Sequence, residues 1–137
     1  MKSITSNLHN LLQGAGIRFS HKTFDDLKAV PLSLIPFGQV FYEQENFENT
    51  HGQKATYIET DFLLKIILKE KDPALMINTQ QKWVHLLRAS VTVDALNTGD
   101  LASTKLVSRV DFSGVKIENK SIISLLNINV KIRYREL

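Results

Sequence analysis

Residues 124–137 read SLLNINVKIRYREL. From Leu126 onward the stretch alternates strictly. Leu126, Ile128, Val130, Ile132 and Tyr134 fall on one side, and Asn127, Asn129, Lys131, Arg133 and Arg135 on the other. A period of two is the signature of a β-strand with one buried face. This strand is apolar toward a core and basic away from it, and the rest of the chain has to supply what covers the apolar side.

Working backward, KLVSRVDF (105–112) reads as a strand, with Gly114 and the ENKS segment as connector residues. TYIETDFLLKIILKEK (56–71) is rich in β-branched and aromatic residues, and Phe62, Leu64, Ile66 and Leu68 make one continuous apolar face. Its other face mixes Lys65 and Lys69 with Leu63 and Ile67, a composition that calls for partial cover. FGQVFYEQ (37–44) is a further strand, and the polar run 45–55 reads as a long exposed hairpin loop with Phe47 as its one large apolar residue.

Two helices complete the pattern. Ile4, Leu8, Leu11 and Leu12 form one stripe of a short helix, with Ser3 as its cap and Gly14 or Gly16 as its stop. Asp72-Pro73 is a capping side chain followed by proline at the first helical position. Met76, Trp83 and Leu87, joined by Leu86, then mark an amphipathic helix to about Ser90. SVTVDALNTGDLAS (90–103) reads equally as a frayed end, a short second helix or a bend. Residues 17–36, with Pro31 and Pro36 flanking LSLI, form a connector with room for one short extended piece. The expected fold is α+β: a mainly antiparallel sheet of about four strands with helices on one face, in a single domain spanning 1–137.

Composition narrows the functional classes. The chain has 137 residues, enough for one core. It contains no cysteine, which removes disulfides and thiolate chemistry, and its net charge of +3 is too small to argue for nucleic acid by itself. No apolar run is long enough to span a bilayer, and MKSITSNLHNLL breaks its apolar segment too early for a signal peptide. GAGIRF (14–19) has Phe19 where a dinucleotide fingerprint needs its third glycine, and it follows a helix instead of a strand. His9, His21, His51 and His85 have no ligand spacing, and no nucleophile elbow is present. The expectation is therefore no catalytic residues, no cofactor, no metal and no enzymatic activity. Two charged stretches remain as candidates for contact: Glu45, Phe47, Glu48 and His51 in the polar loop, and Lys131, Arg133 and Arg135 on the last strand. A basic strand face blocks edge-to-edge aggregation, or offers a charged contact surface to a protein partner or to passing DNA. Single-strand stacking would need aromatics interleaved on the same face, and Tyr134 is on the opposite one.

The order of these elements is similar to that of a known family. A short amphipathic helix, a Pro-containing connector, the strand PFGQVFYEQ (36–44), a long polar loop, a second strand and a central amphipathic helix lead to VDFSGVKIENKSIISLLNINVKIRYREL (110–137). That last piece resembles the final hairpin of the tail terminator proteins of long-tailed bacteriophages, in which a tyrosine closes the last strand. The resemblance implies a structural virion protein without enzymatic activity. It would act as a homo-oligomeric ring, usually a hexamer, that caps the tail tube, ends its polymerisation and provides the surface for head–tail joining. The implied partners are other copies of itself, the tail tube protein and a head connector or completion protein. Genomic DNA would pass through the ring without sequence-specific binding, and no membrane is involved. The implied location is the virion tail, assembled in the host cytoplasm. A head-completion or neck protein of related fold, and a small nucleic-acid-binding α+β module, are the alternatives.

Overall fold

The computed structural model describes residues 2–17, 36–48, 57–102, 104, 106–120 and 122–135. The chain runs α1 (Lys2–Gly14), β1 (Phe37–Glu48), β2 (Tyr57–Lys69), α2 (Pro73–Ser90), α3 (Val93–Leu96), a single 3-10 turn (Gly99–Leu101), β3 (Val107–Lys120) and β4 (Ile123–Arg135). The four strands form one antiparallel sheet in the order β1-β2-β4-β3. This is the expected α+β arrangement. The last strand lies inside the sheet, hydrogen-bonded on both sides.

One face of the sheet is apolar. Phe62, Leu64, Ile66 and Leu68 of β2 and Leu126, Ile128, Val130 and Ile132 of β4 are essentially closed to solvent. They meet Ile4, Leu8 and Leu12 from α1, Leu87 from α2 and Leu96 from α3 in one cluster. Burying a leucine or isoleucine side chain of this kind stabilises by about 1.5–3 kcal/mol. Met76 is also buried, and Trp83 packs half-buried against the cluster. Leu86 does not join the stripe: it lies about 100° round the helix from Leu87 and is exposed. Gln80 is buried instead, its amide donating to Ser124 Oγ at 2.7 Å and to Asn119 Oδ1 at 2.6 Å. Those bonds fasten α2 to the hairpin end of β3 and β4.

The helix ends follow local rules. Asp72 accepts from the Ala74 amide at 2.9 Å and Pro73 opens α2, as the sequence implies. α1 closes in a Schellman turn: Ile17 N donates to Leu12 O and Gly16 N to Gln13 O, with Gly16 at φ 101°. Leu12 and Ile17, the residues this turn brings together, are both buried. Ser3 is not a cap, because the helix already runs at Lys2; packing of Ile4 in the core draws the preceding turn into the helix.

Two expectations about strand length are corrected. β1 continues through Glu45, Asn46, Phe47 and Glu48, which pair with Thr60, Glu59, Ile58 and Tyr57, so the polar run does not begin as a loop. β3 continues through Gly114 to Lys120, with an irregularity between Phe112 and Gly114 that absorbs Ser113. In both cases a long partner strand supplies a hydrogen-bond ladder that polar edge residues follow. Of the readings open for the stretch after α2, the short second helix is the one formed: α3, capped by Thr92, is followed by the 3-10 turn. The amide of Asn7 donates to Leu96 O and Thr98 O, and Asn97 exchanges two bonds with the backbone of Val107. These bonds tie the bend to α1 and to the start of β3. The proposed extended piece near LSLI and the loop residues 49–56 lie outside the described residues.

Leu87→Ala is expected to lower stability by about 2–5 kcal/mol, because it empties a site in the centre of the helix–sheet contact. Gly16→Ala is expected to cost about 1–2 kcal/mol through the left-handed turn alone. Chemical denaturation of both variants checks the pair; equal effects would contradict this account of the core.

Candidate interaction face

The opposite face of the sheet carries most of the charge on the strands. Its residues come from four strands in register. Across the ladder, Tyr57 pairs with Arg135, Glu59 with Arg133 and Asp61 with Lys131, while Arg109 and Asp111 of β3 pair with Arg133 and Lys131 from the other side. Lys131 therefore stands between two aspartates, and Arg133 between a glutamate and an arginine. Lys131 Nζ lies 3.8 Å from Asp61 Oδ1. The like-charged neighbours Arg109 and Arg133 are each engaged elsewhere: Arg109 Nε meets Asp111 at 2.6 Å, and the Arg133 guanidinium lies 4.3 Å from the centre of the Tyr57 ring. Arg135 donates to Thr104 O at 3.1 Å.

The three basic residues singled out in the sequence thus share one face, as the alternation requires. Their partners were not visible there. Tyr57, Glu59 and Asp61 fall at every second position of TYIETDF, and that spacing was the available signal. An aromatic does stand among the basic residues: it is Tyr57, contributed by β2, while Tyr134 points to the helix side.

A shallow groove of about 140 Å³ crosses this face, lined by Glu43, Asp61, Ser113, Asn129 and Lys131. Its two ends are the positions where β1 and β3 each carry an extra residue, Glu43 and Ser113. The face closes at its other end, where Phe37 and Ile67 are fully buried and Gln39 nearly so. The half-apolar composition around Leu63 and Ile67 is thereby accounted for at Ile67.

Two of the loop candidates, Glu45 and Phe47, do not join this face. The irregularity at Glu43 reverses the alternation of β1, so that Glu45 and Phe47 pair with Thr60 and Ile58 on the helix side. Glu45 accepts from Tyr134 Oη at 3.3 Å, and Phe47 stays 59% exposed. Tyr42 stands beside Glu45. Its phenol is pushed up to about 12, first by lost hydration, then by a hydrogen bond to Glu45 and by that carboxylate's charge. The stabilisation linked to the neutral phenol is present at neutral pH and is lost as the pH rises from 10 through 12. Glu48 lies on β1 opposite Tyr57, a register position on the charged face, and His51 is outside the described residues. Among the described residues, no group of three or more His, Asp or Glu is placed to hold a metal ion, and no helix is long and apolar enough to cross a membrane.

No family model matches the chain, and no curated protein does. Among solved structures, a chain from the virion of a native gene transfer agent (GTA) particle is similar over 97% of this chain and 92% of its own length. The identity is 14% and the TM-score 0.33, a likeness too slight to carry an argument about role.

Lys131→Glu is expected to place three carboxylates in one row and to lower stability by about 1 kcal/mol, the scale of cross-strand charge pairs. Added salt recovers part of that loss, because the row is open to water. Lys131→Met is expected to stay close to the parent. Thermal melts at low and high salt check this, and an unchanged melt for Lys131→Glu would show that the row is not coupled.

Proposed function

We propose that this chain is a structural subunit of a phage-like particle and, within that class, a tail terminator that works as a ring, ends tail-tube polymerisation and joins the tube to the head. In this reading it carries out no reaction and holds no cofactor. The observation that carries the reading is the charged face of the sheet. Its side chains stand about 6–7 Å apart along a strand and about 5 Å apart between strands, on a backbone fixed by hydrogen bonds. Acidic and basic groups interleave there, with β4 supplying the cations at the centre. Such a surface orients a protein partner more than it adds affinity. The order of elements in the sequence supports the same family.

A nucleic-acid-binding module is the second reading, favoured by Arg133 stacked on Tyr57. Against it, Arg133 already covers one side of that ring, and Glu59, Asp61 and Asp111 repel phosphates beside the cations.

Removing this chain from cells that make the particle tests the assignment by electron microscopy. A terminator's loss is expected to give tail tubes of uncontrolled length. Tubes of normal length without heads would assign it to the neck, and intact infectious particles would contradict both structural roles.

A further inference from the structure

The two edge strands differ from each other in a way that invites pairing between copies. Among the described residues, no strand pairs with the outer side of β1 or β3. β3 is 14 residues long, and a long open edge with apolar side chains is normally blunted or occupied. Here the Asn97 side chain takes up the backbone groups of Val107 only, at one end. Further along, Val115 and Ile117 are 37% and 44% exposed, and on β1 Tyr42 and Phe47 are 53% and 59% exposed. All four pair with buried positions of β2 or β4, so all four lie on the helix side of the sheet.

We infer that copies of this chain join edge to edge, the outer side of β3 in one copy pairing antiparallel with the outer side of β1 in the next. Four strands of alternating direction make this pairing natural. In the order β1-β2-β4-β3 the two edges run in opposite senses. A second copy placed in the same orientation therefore continues the antiparallel ladder and keeps its helices on the same side. Tyr42 and Phe47 then meet Val115 and Ile117 across the joint and lose their exposure together.

Charge favours this joint over one between two β1 edges. β1 carries Glu43, Glu45 and Glu48 and no lysine or arginine, whereas β3 carries Arg109, Lys116 and Lys120 against Asp111 and Glu118. Lys116 pairs with Asn127 and so lies on the charged face, as does Glu43, whereas Glu45 lies on the helix side. With Tyr42 opposite Ile117, the β3/β1 joint brings Lys116 beside Glu43, a match for which a β1/β1 joint has no cation. A joint between different edges is head-to-tail, and its repetition closes into a ring when the rotation allows. The inference deepens the ring reading above by naming the surfaces that form the ring.

The chain has no cysteine, so introduced thiols report without background. Single variants Tyr42→Cys, Phe47→Cys, Val115→Cys and Ile117→Cys, each checked by melting, are mixed in pairs under mild oxidation. The expected result is a cross-linked dimer for at least one β1/β3 combination and none for β1/β1 or β3/β3. A double variant carrying that matched pair is expected to give a ladder of oligomers, which Lys116→Glu should shorten without lowering the melting temperature. Cross-links only between like edges would overturn the inference, as would a chain that sediments as a monomer at every concentration tested. Rings that assemble without any β1/β3 cross-link would sink this joint while leaving the ring reading standing.

Discussion

The structure depends on β4 being shared. Like β2, it is hydrogen-bonded on both sides by long partners, here β2 and β3, and the strict alternation of residues 126–134 gives it two incompatible faces. A slip of one residue would drive Lys131 and Arg133 into the helix-covered core and expose Ile132 and Val130. Register is therefore fixed twice over, by what burial demands on one side and by what charge forbids on the other.

The helical layer answers to that strand. Leu87 and the α1 stripe cover its apolar side, and Gln80 reaches Ser124 at its beginning. Near its end, Tyr134 finds Glu45 across the sheet, and Arg135 takes a carbonyl from the segment leading into β3. On the far side, the cations that look isolated in the sequence are matched inside the chain by Asp61, Asp111 and the Tyr57 ring. The charged face is thus a patterned surface of both signs, and any partner meets that pattern instead of a basic stripe.

The parts legible in the sequence were those in which burial imposes a period. Phe62 to Leu68 and Leu126 to Tyr134 announce two strands, and Asp72-Pro73 with Leu87 announces the main helix. The lengths of β1 and β3 were not legible. Glu45–Glu48 and Ser113–Lys120 are polar enough to read as loop, and only their partners' ladders hold them extended. The pairing of β2 with β4 joins segments far apart in the chain, so no local signal announces that Glu59 and Asp61 face Arg133 and Lys131. The side of the sheet taken by Glu45 was hidden for a sharper reason. Counting by twos from Phe37 or Phe41 puts it on the charged face, and the single extra residue at Glu43 moves it to the other. The candidate residues were consequently divided between two faces.

Native-state hydrogen exchange tests the central role of β4 most directly. The amides of Leu126 to Ile132, locked between β2 and β3, are predicted to exchange slowest and only through global unfolding, with β1 and the outer side of β3 opening earlier. Amides of β4 that exchange as fast as those of the edge strands would contradict the account.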